Sequence, residues 1–310
     1  MDDSLPKSVL LWQLAVPVVA TLACLAVWAL VVKRRRQGLP VVAYQPRRPV
    51  PWRGLDLLAI LAIYLLTQAG SLLLVLTWVD PELTRPPAMY DVEEATTVHV
   101  AAKLVAQCDI WVLMLCGLAI VVVTPIAEEF LYRVLLQGWL EAAQRRYRRA
   151  MPTLRRLAPG AVGPVVLSSL IFARAHFRTA GPPMNLHYVT LLLAAVATAN
   201  LLTMALAIAY LRWRARVKAA DLGWVPQKLF ADLRLGLLAF AAVAAPIYLL
   251  QIVLSLLLPK YFAPDPFTIF VFALVLGTLY HRTHRIVPAV VVHMSLNATS
   301  LALALASTVK

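Results

Sequence analysis

The chain has 310 residues, of which 61% are hydrophobic and 14% are charged, and its formal net charge is +14. Apolar runs of about twenty residues recur along its whole length, and a helix of that length crosses a bilayer. This composition leaves no room for a soluble globular domain and predicts a polytopic membrane protein of the all-α class.

The hydrophobic runs predict the membrane spans in chain order. They cover roughly residues 8–32, 55–79, 108–140, 162–178, 188–211, 235–258, 267–280 and 286–306. Pro125 lies inside the third run, where it is expected to interrupt the helix. We therefore predict about eight transmembrane helices, with any chemical site in the core of the bundle.

The N-terminal 53 residues differ in composition from the remainder. Lys33-Arg34-Arg35-Arg36 follows the first apolar run, where a signal peptide would have a small-residue cleavage site, so this run is interpreted as an uncleaved anchor. Residues 38–53 hold four prolines and three arginines, a composition typical of a surface linker. The sequence thus predicts an anchor and basic Pro-rich linker over 1–53 and a membrane core over 54–310.

Basic residues are concentrated in alternate connections between the spans. Of the 29 lysines and arginines, 21 lie in residues 33–53, 145–156, 212–234 and 282–285. The connection at 80–94 is mainly acidic. This alternation indicates that the basic connections face the cytoplasm and that 80–94 and 259–266 face outward. The positive charge therefore predicts membrane orientation rather than a nucleic-acid partner.

The stretch TPIAEEFLYR, residues 124–133, places two acids and a base in an apolar span. Such groups are expensive in hydrocarbon, so each needs a partner, an aqueous cavity or a function. Glu129 and Arg133 lie one helical turn apart and can form an ion pair. Glu128 is rotated by about 100° from Glu129 and can face a cavity as a general base. A purely structural cluster of all three charges is the alternative.

Two further pairs of residues, each with a histidine, lie one helical turn apart. Phe172 and His176 share a helix face. Glu128 precedes the basic connection at 145–156 and His176 follows it, by similar lengths of helix, so the two side chains are expected at a similar depth in the membrane. His293 and Asn297 can both donate hydrogen bonds, as an oxyanion intermediate requires. Taken singly, each pair can also be an ordinary hydrogen-bonded group in the core.

The chain contains three short motifs in order: Glu-Glu-x-x-x-Arg at 128–133, Phe-x-x-x-His at 172–176 and His-x-x-x-Asn at 293–297. They resemble the three motifs of the CAAX protease and bacteriocin-processing (CPBP) family of intramembrane endopeptidases. The stretch LVLGTLYHRTHRIVPAVVVHMSLNATS, residues 274–300, strengthens the resemblance, because that family typically has a Gly-x-Leu-Tyr and a basic-Thr turn before its last histidine.

The resemblance implies a role for each residue of the three motifs. Glu128, assisted by His176, would activate water; His293 and Asn297 would form the oxyanion hole; Glu129 and Arg133 would support the structure. It also implies a peptide or protein substrate presented at the bilayer, no cofactor, no metal ion, and a location in a bacterial-type plasma membrane.

The sequence departs from the family pattern between its second and third motifs. His176 and His293 are 117 positions apart (293 minus 176), and the interval contains an atypical two-span segment at about 188–260. Within it, residues 221–233 resemble an element that usually precedes the first motif. Val134 stands where a glycine commonly follows the arginine, and a local packing change is expected there.

Three alternatives remain open. Two glutamates and two histidines could hold zinc, although no His-Glu-x-x-His is present and a glutamate paired with Arg133 would be a poor ligand. The chain could be a non-catalytic membrane partner or an immunity-type protein that keeps the fold. It could also be a transporter, since buried charges line proton pathways, although here the polar residues cluster at one depth.

Overall fold

The computed structural model describes residues 7–78, 110–150, 162–177, 186–257 and 265–308. Within these ranges the secondary structure is helical and contains no strand, which confirms the all-α prediction. The longer helices are α1 (Lys7–Arg36), α2 (Gly54–Trp78), α3 (Ile110–Gly117), α4 (Thr124–Glu129), α5 (Gly138–Ala150), α6 (Val162–Ala175), α7 (Leu186–Ala215), α8 (Leu229–Leu257), α9 (Asp265–Thr283) and α10 (Ile286–Thr308).

Among the described residues, five helices are long and apolar enough to cross a membrane. They are Gly54–Thr77, Ile110–Arg148, Tyr188–Ala215, Pro226–Leu257 and Ile286–Leu305. Val162–Ala175 is apolar but shorter. The predicted count of eight spans is therefore not confirmed. The acidic connection at 80–94 and most of 259–266 lie outside the described residues.

The helix that contains Pro125 is continuous and is not divided into two helices at that residue. Two π-helical stretches, Leu118–Val123 and Phe130–Gln137, join α3, α4 and α5 end to end. In the first stretch the Thr124 N–H bonds the Ala119 carbonyl, five residues back rather than four. In this pattern the carbonyl left without a helical donor by Pro125 is that of Ile120, five residues earlier.

The described chain forms two compact units. The first comprises 1–53, 128–177 and 216–293, and within it α6 packs on α9 and α1 packs on α8. The second comprises 54–127, 178–215 and 294–310. The atypical segment at 188–260 therefore contributes α7 to the second unit and α8 to the first. The division of the sequence at residue 53 stays a prediction.

The Pro-rich linker is anchored within the first unit. Trp52 is fully buried, and its indole N–H donates to the Leu135 carbonyl at 3.1 Å. Arg48 forms an ion pair with Asp221 at 2.9 Å. Arg145 donates to the Arg47 carbonyl at 2.9 Å. The linker, the end of α5 and the segment before α8 thus meet within this unit.

Helix α8 approaches α10 closely at Gly236. A Cβ at this position would lie 2.6 Å from the Cβ of Val291, so only glycine fits against that side chain. At the start of the same contact, Asp232 and Arg285 form an ion pair at 2.8 Å. These contacts fix the first turns of the helix that carries His293.

In the second unit α2 and α7 are joined by polar side chains. The hydroxyls of Thr67 and Thr203 are 2.6 Å apart, and Gln68 donates to Asn200 at 2.8 Å. Tyr210 donates to Asp56 at 3.1 Å. These bonds hold two apolar helices together where burial of apolar surface gives no driving force in lipid.

Candidate active site

Glu128 and Glu129 are adjacent in α4 but have different surroundings. The side chain of Glu129 is completely buried, whereas that of Glu128 is 20% exposed. The rotation of about 100° per residue explains the difference, because it turns the two carboxylates toward different neighbours. Glu128 is the carboxylate that remains accessible to a reactant.

Glu129 has two charged or polar partners in the first unit. One carboxylate oxygen lies 3.2 Å from Nε of Arg133, which is also fully buried. The other lies 3.0 Å from Nδ1 of His293. The structure therefore brings Glu129 and Arg133 together as the helical spacing predicts. It adds that Glu129 holds the His293 ring as well.

His176 is oriented by the end of α6. The helix ends at Ala175, and Nδ1 of His176 lies 2.8 Å from the Phe172 carbonyl oxygen. A carbonyl can only accept, so Nδ1 carries the hydrogen and the opposite nitrogen, Nε2, is the acceptor in the neutral ring. This Nε2 lies 3.4 Å from Oε1 of Glu128.

His293 presents its own Nε2 to the same carboxylate. Its distance to Oε2 of Glu128 is 3.7 Å, while Nδ1 faces Glu129. Glu128 therefore lies between two imidazole Nε2 atoms. Such a group can bind a water molecule and take its proton. If His293 carries a second proton, its Nε2 becomes a donor for a developing oxyanion, and the Glu129 carboxylate stabilises that imidazolium.

Two phenylalanines surround the histidines. The ring centroid of Phe172 lies 4.4 Å from that of His176 and 5.9 Å from that of His293. Phe272 of α9 lies 5.4 Å from His293 on another side. The phenylalanine rings restrict the orientation of the two imidazoles by packing against them. Phe272 was not predicted, because nothing distinguishes one phenylalanine within an apolar helix.

Asn297 belongs to the second unit, where its carboxamide Nδ2 donates to the Ile120 carbonyl at 2.9 Å. This carbonyl needs a donor from outside its helix. The Thr124 N–H bonds Ala119 instead, and Pro125 has no N–H. Asn297 therefore has a structural bond that the sequence did not predict. Its second amide hydrogen is available for another acceptor.

A polar chain continues from Arg133 along the same helix. Nη1 of Arg133 donates to the Ser168 hydroxyl at 3.4 Å, and Gln137 donates to the Gly277 carbonyl at 2.8 Å and to Glu141 at 3.1 Å. Sequence reasoning missed Gln137 and Glu141. Their signal was present, because residues 129, 133, 137 and 141 recur at i, i+4 and are all polar.

The charged groups around Glu128 also bear on the zinc alternative. A carboxylate flanked by two imidazole nitrogens, each with its other nitrogen hydrogen-bonded, is a ligand set that zinc accepts. The same set suits a water molecule activated without metal. The choice between these two chemistries stays open at this point.

Residues 110–220 and 223–299 match the family described as type II CAAX prenyl endopeptidase Rce1-like. The matched ranges contain all seven residues of the three motifs. Comparisons with curated proteins and with solved structures give no match.

Proposed function

Because the chain belongs to the Rce1-like family of type II CAAX prenyl endopeptidases, within the CAAX protease (CPBP) group, we propose that it hydrolyses a peptide bond inside the membrane with a water molecule activated by Glu128. The observation that carries this proposal is the position of the Glu128 carboxylate between Nε2 of His176 and Nε2 of His293. A partly exposed carboxylate with two such neighbours is equipped to accept a proton.

In the proposed reaction Glu128, assisted by His176, takes one proton from water, and the water oxygen attacks the carbonyl carbon of the substrate. The tetrahedral oxyanion accepts hydrogen bonds from His293 and Asn297. The carbon–nitrogen bond then breaks, and the proton held by Glu128 passes to the leaving amine. The products are a new carboxyl terminus and a new amino terminus, without a covalent acyl-enzyme.

Glu129 and Arg133 have a supporting role in this proposal. Their ion pair is fully buried, and Glu129 also contacts Nδ1 of His293. Glu129 would fix the orientation of the His293 ring and stabilise its protonated form, as the aspartate does for histidine in a serine protease triad.

The substrate is proposed to be a peptide or protein presented at the plasma membrane of a bacterial-type cell. The motif residues carry no feature that requires a prenyl group, so prenylated and unmodified substrates are both consistent with the proposal. The lipid bilayer is the partner that positions enzyme and substrate together.

A comparison of protein termini in membranes tests the proposal. Cells carrying the wild-type chain should contain new termini that are missing with Glu128→Gln. Asp56→Asn is the matched control, since it changes another buried carboxylate that bonds Tyr210 in the second unit. It should retain the termini. If Glu128→Gln keeps both the termini and the cellular effect of the chain, the non-catalytic binding role replaces the enzyme.

A further inference from the structure

A second group of potential ligands lies near the end of the first unit. Glu141 of α5 and His281 and His284 near the end of α9 each direct one ligand atom to a common point, and these atoms all lie within 4.8 Å of one another. Nδ1 of His281 is 3.2 Å from Oε1 of Glu141, and Nε2 of His284 is 3.0 Å from Oε2. Glu141 lies 13 residues after Glu128, about 20 Å along the helix, so this group is separate from the candidate active site.

The imidazole of His284 is oriented for a cation. Its Nδ1 lies 2.8 Å from the Gln45 carbonyl oxygen, which can only accept, so the hydrogen is on Nδ1 and the lone pair of the neutral ring is on Nε2. A lone pair 3.0 Å from a carboxylate oxygen needs a cation or a proton between the two atoms. A ligand histidine whose other N–H bonds a backbone carbonyl is the usual arrangement at zinc.

The backbone at His284 supports a role for its side chain. His284 follows the end of α9 with φ of +51°, the left-handed conformation that glycine adopts most cheaply at a helix end. The turn places the His284 ring between the Glu141 carboxylate and the Gln45 carbonyl.

The three side chains of this group differ in their exposure. His284 and Glu141 are almost completely buried, whereas His281 is 23% exposed. Gln137 donates to Oε1 of Glu141 and orients the carboxylate. Arg145 also faces the cluster, with its Nη2 3.5 Å from Oε2 of Glu141, and its Nη1 donates to the Arg47 carbonyl at 2.9 Å.

We propose that Glu141, His281 and His284 form a binding site for a divalent transition metal of the zinc type, with a fourth position open to water. Two imidazoles and a carboxylate at these separations match a tetrahedral zinc site. The metal would join α5, the end of α9 and the linker at Gln45. It would thereby fix the turn from which α10 carries His293, without taking part in the cleavage of the peptide bond.

The test measures zinc bound to the full-length protein in detergent after removal of all metal and dialysis against dilute zinc chloride. Wild type should retain about one zinc ion per chain, and cobalt in its place should give the visible absorption of a tetrahedral site. His284→Gly, which suits the backbone, and His281→Ala, which is partly exposed, should each weaken zinc binding by at least the 10- to 100-fold that loss of a supporting partner costs.

Glu128→Gln and His176→Ala are the controls and should keep this zinc ion. No retained zinc in the wild type would overturn the proposal. So would zinc that is lost from the two control variants and kept by His281→Ala and His284→Gly. The wild type could also bind two zinc ions per chain. If His281→Ala and His284→Gly each lose one of them, and Glu128→Gln and His176→Ala each lose the other, this site is supported and a second metal lies at Glu128. The result is independent of whether the chain cleaves a peptide.

Discussion

The two adjacent glutamates of α4 have different partners, which is the basis of the separate roles proposed for them. Glu129 is enclosed by Arg133 and His293, so its charge is neutralised and its position fixed. Glu128 is 20% exposed and faces two Nε2 atoms. A buried pair of this kind contributes little net stability when intact, but breaking it leaves an uncompensated charge.

Arg133→Ala should therefore destabilise the protein strongly. Removing one member of a buried pair costs about 3–5 kcal/mol, and the His293 ring would lose the fixed orientation that Glu129 gives it. Thermal unfolding in detergent measures the loss. Arg174→Ala is the control, because Arg174 is exposed near the end of α6 and its guanidinium lies over the ring of Phe177 at 5.6 Å. It should change stability by less than about 0.5 kcal/mol. A well-folded but inactive Arg133→Ala protein would contradict the supporting role.

Asn297→Ala should have two effects that can be separated. Loss of an oxyanion donor lowers cleavage by about 10²-fold, and the unsatisfied Ile120 carbonyl costs roughly 1–3 kcal/mol of stability. A second substitution, Pro125→Ala, supplies a backbone N–H five residues after Ile120 and should restore stability without restoring cleavage. Recovery of both quantities in the double variant would show that Asn297 only holds the helix.

The sequence predicts contacts between residues that lie one turn apart in the same helix. The contact between Glu129 and Arg133 is of this kind. The contact of Glu129 with His293 joins residues 164 positions apart, and the bond of Asn297 to Ile120 depends on a π-helical stretch. Neither follows from local spacing, because both depend on how separate helices pack.

The helices themselves follow from the hydrophobic runs, since a run of this length has no other stable form in a bilayer. The exception is the helix through Pro125. Sequence rules predict a break at a proline, whereas a π-helical turn with an external donor for the released carbonyl keeps the helix intact. That donor lies 177 positions away in the sequence, which is why the exception was not foreseen.

The close contact between helices α8 and α10 depends on Gly236. Gly236→Ala should destabilise the protein by about 1–3 kcal/mol, because the new Cβ would overlap with Val291. Gly70→Ala is the matched control, since nothing lies within 4 Å of a Cβ at that helical position. It should be neutral or stabilising by up to about 1 kcal/mol. Equal stability of the two variants, measured by thermal unfolding, would contradict the observed packing.

For the whole molecule, the polar groups of the long helix connect its two clusters. Glu129, Arg133, Gln137 and Glu141 follow one another at one-turn intervals, with Ser168 bonded to Arg133 and Gln137. The family motifs draw attention only to the first two members. Glu141, His281 and His284 were not predicted, because the histidines lie 140 or more positions from Glu141.

A chelator distinguishes a metal at Glu141 from a metal at Glu128. Removal of a metal held by Glu141, His281 and His284 should lower the melting temperature by a few degrees, about 2–4 °C per kcal/mol for a chain of this size. Cleavage should fall by less than roughly tenfold, since no chemical step is lost. His284→Gly should show neither response. If the chelator instead abolishes cleavage equally in the wild type and in His284→Gly, and zinc restores it, the metal would be assigned to Glu128.

The central claim, that Glu128 is the base which activates water, is tested most directly by the turnover of the purified Glu128→Gln protein. The substrate is a peptide spanning a cleavage site found in the comparison of membrane termini, and Asp56→Asn is measured beside it. The variant is predicted to lose about 10²- to 10⁴-fold in kcat while keeping the melting temperature of the wild type, and Asp56→Asn to cleave normally. Turnover of Glu128→Gln within about threefold of wild type, well below that range, would contradict the mechanism.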